Sequence, residues 1–186
     1  MNGINQIKRK AKNIIKNIFD NTIIEQIKKI RVHDHLCLIY ENEEQQFNSA
    51  IPFIKAGFEN SEKCVYITDD DNTLKIIEKM EIGGIPTKYK IAKGDLLVIT
   101  KKEAYNNKDY FDPYKILNFF SKIANNAKED GYLALRITEE MSCPPGNEIK
   151  KKNYWNLKQN ITIISRFMIL SQCVNTIKSA FHLKSY

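Results

Sequence analysis

The sequence predicts an α/β fold in which helices cover both faces of a mostly parallel five-stranded sheet. Five short apolar runs with the composition of buried strands are separated by segments in which apolar residues recur every three or four positions. Strands that alternate with helices in this way are typical of parallel sheets. With 186 residues, 42% of them hydrophobic and 27% charged, the chain has the length and composition of a folded domain.

The predicted strands are compact apolar runs bounded by polar or turn-forming residues. They cover residues 33–40, 63–68, 96–100, 132–138 and 167–173. These runs are largely continuous rather than alternating between apolar and polar residues, which indicates that the sheet is buried on both faces.

Helices are predicted between the strands from apolar periodicity and from capping residues. They cover residues 43–60, 72–82, 113–128 and about 150–164, and the C-terminal segment also has a helical pattern. Pro52 marks a kink or a delayed start of the first of these helices. Gly83 and Gly84 end the second. Asp112 and Pro113 have the residue types preferred at the N-cap and first position of the third.

Residues 1–31 are predicted to form a basic, amphipathic helical segment that precedes the α/β domain of residues 32–186. Isoleucines recur on one side of the segment and lysines lie between them, with a break around residues 20–22. The segment has eight basic and two acidic residues, whereas the rest of the chain has 21 basic and 20 acidic residues. Most of the formal charge of +7 therefore lies in this segment, and a nearly neutral domain argues against nucleic-acid binding.

This basic segment has three interpretations: a helix that contacts a partner protein or a second copy, a helix on a membrane surface, and a DNA-contacting element. Its first aromatic residue is Phe19, which weakens the membrane interpretation, and no helix-turn-helix pattern supports DNA binding. Packing against its own domain or a second copy is favoured.

Composition also predicts a cytoplasmic location and no metal or cofactor. No apolar run is long enough to span a membrane, and no signal-peptide core is present, so the four cysteines are expected to stay reduced. His33, His35 and Cys37 alternate along the first strand and could together hold a metal. Burial in the core is the favoured interpretation, because cysteine is most often an interior residue.

Several short motifs occur in a specific order along most of the chain. They comprise residues 35–41, residues 52–54 with Gly57, residues 63–67 with Asp69 and Asp70, residues 94–96, residues 103–105, residues 111–113, and Gly131 and Tyr132 followed by Arg136 and residues 140–142. In this combination the chain resembles the MEDS domain family, named for methanogens, methylotrophs and the sensory part of a dichloromethane-responsive regulator.

The resemblance implies a RecA/KaiC-like three-layer fold that has lost its nucleotide-binding loop and senses small hydrocarbon derivatives. Such domains occur alone or joined to DNA-binding or histidine-kinase modules. The residues after the first strand agree with a lost loop. A phosphate-binding loop needs glycines and a lysine, whereas residues 41–45 contain neither and include three carboxylates.

Ligands of open parallel sheets bind beyond the carboxyl ends of the strands. The candidate ligand-binding residues near those ends are Tyr40, Glu41, Asp69, Asp70, Arg136, Glu140 and Gln172. Helix capping is the alternative for the aspartates, and a structural ion pair with Arg136 is the alternative for Glu140.

These observations predict a sensory or regulatory domain that binds a small organic molecule and signals through a partner protein. No catalytic motif such as GxSxG or HExxH is present, so no catalytic residue is assigned. Two alternatives stay open. One is a degenerate RecA-like ATPase or acid–base enzyme that uses Glu139 or Glu140. The other is a purely structural interaction module.

Overall fold

The fold is described from a computed structural model of the chain, over residues 21–32, 34–40, 42–69, 72–105, 113–141 and 168–175. Five strands form one sheet: β1 (His35–Tyr40), β2 (Lys63–Thr68), β3 (Leu96–Thr100), β4 (Leu135–Met141) and β5 (Met168–Asn175). Their spatial order is β1-β5-β4-β2-β3, and every neighbouring pair is parallel. The predicted five-stranded α/β architecture is confirmed.

The helices with defined bounds are α1 (Glu43–Glu59), α2 (Thr73–Ile82), α3 (Thr87–Lys93), α4 (Lys101–Tyr105) and α5 (Pro113–Glu129). α1, α2 and α5 confirm three predicted helices. The short helices α3 and α4 were not predicted, because neither is long enough to show an apolar period. The helix predicted over residues 150–164, the C-terminal segment and the Asp112 cap lie outside the described residues.

The sheet lies between two layers of helices, as the alternation of side chains along β2 shows. Cys64 and Tyr66 belong to the core cluster that also contains residues of α1 and α2. Val65 and Ile67 belong to the opposite cluster, which contains residues of α5. Because successive residues of a strand point to opposite faces, β2 contributes to both cores and is buried throughout.

Helix α1 packs on one face of the sheet as one continuous helix. Its first turns lie at the carboxyl ends of the strands, where Gln46 contacts Glu140. Asn42 caps it, since its side-chain oxygen accepts a hydrogen bond from the Gln45 backbone N–H at 3.0 Å. The helix continues through Pro52, which excludes the predicted delayed start at that residue.

The described part of the basic segment packs onto the domain. Residues 21–27 are helical, so the predicted break around residues 20–22 is wrong for Asn21 and Thr22. Ile27 is buried, and Ile23 and Ile30 pack against the core that contains α1. Residues 1–20 lie outside the described part of the chain. Within that part, no helix is long and apolar enough to cross a membrane.

A charged network holds the amino ends of β3 and β4 together. Asp95 accepts hydrogen bonds from Lys90 at 2.8 Å, Lys93 at 3.2 Å and the Tyr132 hydroxyl at 2.9 Å. Burial opposes ionisation of Asp95, but these hydrogen bonds outweigh it and lower the pKa of the carboxyl group. Burial and the bond to Asp95 raise the pKa of Tyr132 to about 12. These contacts fix the segments that lead into β3 and β4 relative to each other.

Candidate functional site at the carboxyl ends of β2 and β4

The strand order creates a topological switch point between β2 and β4. After β2 the chain continues to β3, which lies on one side of β2. After β4 it continues to β5, which lies on the opposite side of β4. Chain segments that leave neighbouring strands in opposite directions open a crevice at the carboxyl ends, where ligands of parallel sheets bind.

A buried carboxylate lies at this switch point. Glu140, near the end of β4, is only 7% exposed. Its Oε1 atom accepts hydrogen bonds from the Gln46 side-chain amide at 2.6 Å and from the Tyr66 hydroxyl at 2.8 Å. Its Oε2 atom accepts a hydrogen bond from the Thr68 hydroxyl at 3.1 Å. All three donors are uncharged, so Glu140 is held in place without a direct cationic partner among the described residues.

One further hydrogen bond lies within this cluster, and one ion pair lies beside it. The Gln46 amide also donates to the Tyr66 hydroxyl at 3.1 Å, so the donors are bound to one another as well as to Glu140. Lys75 on α2 forms an ion pair with Glu43 in the first turn of α1. The hydrogen bond and charge of Glu43 raise the pKa of Lys75, and the charge of Glu140 adds a smaller contribution. The site therefore joins β2, β4, α1 and α2.

Other predicted site residues lie along the same edge but outside this hydrogen-bonded cluster. Tyr40 is buried at the end of β1, and β5 lies between β1 and β4. Asp69 follows β2 and forms an ion pair with Lys101 at 2.6 Å. Gln172 lies on β5 in register with Glu139. Glu41 and Asp70 lie outside the described residues.

The candidate metal ligands His33, His35 and Cys37 belong to the first predicted strand. His35 and Cys37 lie on β1, in register with Leu170 and Gln172 of β5, and His33 lies outside the described residues. Within the part of the chain that the structure describes, no group of three histidine, cysteine or acidic side chains is placed to hold a metal.

Arg136 does not belong to this cluster, and the alternative of a structural ion pair between Arg136 and Glu140 is wrong. The two residues are four positions apart on one strand, which corresponds to about 13 Å. Arg136 is fully buried, and its Nε atom donates to Glu62, which lies just before β2. The guanidinium group therefore lies toward the amino end of β4, whereas the Glu140 carboxylate lies at the carboxyl end.

The sequence also matches the family model for the MEDS domain, described as a methanogen/methylotroph, DcmR sensory domain, over residues 34–174. This match covers most of the chain. The chain belongs to the MEDS family. The family is a sensory one, so the role of this domain is sensory or regulatory. No curated protein matches the sequence.

The fold of this MEDS domain is similar to that of a KaiC-like protein from the hyperthermophilic archaeon Pyrococcus horikoshii OT3, known from a crystal structure. The TM-score is 0.57 at 10% sequence identity, and the match covers 78% of this chain and 63% of that chain. This chain thus spans less than two thirds of the archaeal protein. The similarity supports the RecA/KaiC-like fold alone.

In this MEDS domain the start of α1 is unsuited to phosphate binding. A helix N-terminus binds phosphate through free backbone N–H groups and a favourable dipole. Here the Asn42 side chain already occupies one of those N–H groups. Glu43 and Glu44 add two carboxylates to the first turn. The first turn of α1 therefore offers a triphosphate one donor fewer and repels it electrostatically.

We therefore expect no measurable binding of ATP or GTP at millimolar magnesium concentrations. Calorimetric titration of the full chain is the measurement, with a fluorescent nucleotide analogue as an independent check. Micromolar affinity in either assay would contradict the loss of the phosphate loop.

The adjacent carboxylates Glu139 and Glu140 lie on opposite faces of the sheet. Glu140 shares its face of the sheet with Tyr66 and Thr68, whereas Glu139 follows Leu135 and Ile137 on the opposite face. Both side chains are buried. Their carboxyl groups therefore do not converge on one substrate position.

Sequence analysis missed the three residues that hydrogen bond to Glu140. Tyr66 and Thr68 share one face of the predicted second strand, but that period of two does not indicate that Glu140 lies on the neighbouring strand, on the same face. Gln46 lies 94 residues from Glu140, and no local pattern connects the two positions. The one sequence feature that could have indicated this contact is Gln46 itself, a polar residue on the otherwise apolar, buried face of α1.

Proposed function

We propose that this MEDS domain binds a small polar organic molecule at the switch point between β2 and β4, with Glu140 as the central recognition group. The observation that carries the proposal is a buried carboxylate at the carboxyl ends of parallel strands, whose hydrogen-bond donors among the described residues are all neutral. Tyr40, Glu41, Asp69, Asp70 and Gln172 are proposed to line the surrounding edge. Arg136 is not part of this proposed site.

The hydrogen-bonding capacity of Glu140 defines the chemistry of the ligand. A carboxylate oxygen accepts about two hydrogen bonds. Oε1 already accepts two, from Gln46 and Tyr66, whereas Oε2 accepts one, from Thr68, among the described residues. The second acceptor position of Oε2 has no donor within the part of the chain that the structure describes. The ligand is therefore proposed to donate a hydrogen bond from a hydroxyl or amine group.

The same contacts provide a path for the signal. Gln46 lies in the first two turns of α1 and bonds directly to Glu140. Glu43, one turn earlier, bonds to Lys75 and Lys79 of α2. A ligand on Glu140 that changes the Gln46 contact shifts the equilibrium position of α1 relative to β4, and α2 with it. The output passes to a partner protein or a second copy, for which the basic segment is the proposed contact.

A thermal-shift screen of small hydroxyl and amine compounds tests this proposal with a matched pair of variants. Glu140→Gln keeps the shape of the side chain but removes its charge. We expect compounds that raise the melting temperature of the wild-type protein to lose at least tenfold in affinity for this variant, because a charge-assisted hydrogen bond is replaced by a neutral one.

Glu139→Gln is the control, since it makes the same change at the neighbouring buried position on the other face of the sheet. It is expected to leave ligand affinity unchanged. Equal loss of affinity in both variants would indicate a general effect on the fold, and unchanged affinity in Glu140→Gln would contradict the proposed site.

A further inference from the structure

Strand β3 has an open edge in the part of the chain that the structure describes. It is the last strand in the order β1-β5-β4-β2-β3 and pairs there with β2 alone. The Cys64 N–H donates to the Asp95 carbonyl at 2.9 Å, so the backbone groups of Asp95 and of every second residue after it point to β2. The backbone N–H and C=O groups of Leu96 and Val98 therefore point to the open edge.

This edge lacks the features that protect open strands. Natural edge strands have prolines, charged side chains or bulges, because an unprotected edge pairs with another chain. β3 has the sequence LLVIT, without proline or charge, and its register with β2 is continuous. The Thr100 N–H donates to the Glu103 carboxylate at 2.7 Å, so the open edge ends at Thr100. The preceding residues of β3 are available for pairing.

The two helices that lead into β3 add exposed apolar surface on the same side of the domain. Leu74 of α2 is 82% exposed, and Tyr89 of α3 is 63% exposed. Both helices pack against β3. They hold four of the five large hydrophobic side chains that are exposed among the described residues, namely Leu74, Ile82, Tyr89 and Ile91. Exposed apolar surface that is concentrated in one region is typical of a protein–protein interface.

The sequence around β3 is complementary to itself in the antiparallel direction. When two copies pair about a two-fold axis at Val98, the two Val98 residues exchange two backbone hydrogen bonds. In this register Asp95 lies opposite Lys101 of the second copy, and Lys93 approaches Glu103, which are pairs of opposite charge. A parallel, in-register arrangement would instead place Lys101 beside its own equivalent. Charge therefore favours an antiparallel second copy.

We propose that the open edge of β3, flanked by α2 and α3, pairs antiparallel with β3 of a second copy and joins the two sheets into one. This surface is distinct from the Glu140 site, because β2 lies between β3 and β4. The proposal does not rest on the proposed function, since its evidence is the strand edge and the exposed apolar surface. The paired edge is short, so we expect a dimer that dissociates in the micromolar range.

Sedimentation velocity and hydrogen–deuterium exchange on the full-length protein test this pairing without any mutation. At high concentration we expect a species of twice the 21.7 kDa chain mass, which dissociates on dilution. The Val98 amide points to the open edge and is expected to exchange at least tenfold faster in the diluted monomer. The Ile99 amide points to β2 and is expected to stay protected at both concentrations.

Val98→Pro and Val98→Ala form a matched pair of variants. Both remove the valine side chain, but only proline removes the N–H group at the open edge, a change that edge strands tolerate. We expect the dissociation constant of the dimer to be at least tenfold higher for Val98→Pro than for Val98→Ala, with folding of both variants checked by circular dichroism. Equal dissociation constants in the two folded variants would contradict pairing through this N–H group.

Three outcomes with the wild-type protein would overturn the proposal. The first is a monomer at every concentration whose Val98 amide is protected, which would show that another part of the same chain covers the edge. The second is a monomer at every concentration whose Val98 amide exchanges freely. The third is a dimer in which the Val98 amide exchanges freely, which would place the interface elsewhere.

Discussion

Replacing Glu62 with alanine is expected to lower the free energy of unfolding by about 3–5 kcal/mol, because it leaves the buried Arg136 charge without its partner. Arg136 is fully buried, and its guanidinium group has no other acceptor among the described residues. Neither water nor a neighbouring carboxylate therefore replaces Glu62. Chemical denaturation followed by circular dichroism measures the change.

Two further variants sharpen this test. Glu59→Ala, at an exposed position at the end of α1, is the control and is expected to change the unfolding free energy by less than about 0.5 kcal/mol. The double variant Glu62→Ala with Arg136→Met removes both charges and is expected to recover much of the loss. A loss below about 1 kcal/mol in Glu62→Ala alone would contradict a buried, energetically coupled pair.

Replacing Gly57 with alanine is expected to destabilise the domain by about 1–3 kcal/mol, the usual cost of overpacking a core. A methyl group at Gly57 would lie 2.5 Å from the Cys64 Sγ atom and 2.8 Å from the Arg136 Cδ atom. The sign of the effect is decisive. Helix propensity alone predicts that alanine stabilises this position in α1 by up to about 1 kcal/mol.

Removal of the Cys64 sulfur provides a matched check on this explanation. In the double variant Gly57→Ala with Cys64→Ala, the closest contact disappears, so the two effects are expected to be less than additive. Thermal unfolding of both single variants and of the double variant measures the coupling. A stabilised Gly57→Ala variant would show that α1 does not approach β2 and β4 this closely.

The architecture was predictable from sequence because the strands are buried on both faces. β2 and β3 have the predicted bounds, since each is a continuous apolar run with polar residues on both sides. β4 begins and ends about three residues later than predicted. Gly131 has a positive φ of 85°, and the hydroxyl group of Tyr132 donates to Asp95. Residues 132–134 are therefore part of the connection that precedes β4, although they continue its apolar run in the sequence.

The candidate site was predictable only in part. Parallel-sheet geometry predicted a site at the carboxyl ends of the strands, and Glu140 lies at that edge in the structure. The spatial order of the strands, which creates the switch point, leaves no trace in local sequence patterns. The role of Arg136 was hidden for the same reason, because its partner Glu62 is 74 residues away and an arginine in an apolar run does not reveal whether it faces a site or an ion pair.

Native mass spectrometry of the purified full-length chain is the most direct test of a ligand held at Glu140. The wild-type protein is expected to exceed its sequence mass of 21.7 kDa by the mass of a small organic molecule. The same adduct is expected in Glu139→Gln and is expected to be absent from Glu140→Gln. An adduct that persists in Glu140→Gln, or is lost only from Glu139→Gln, would contradict a sensory site between β2 and β4.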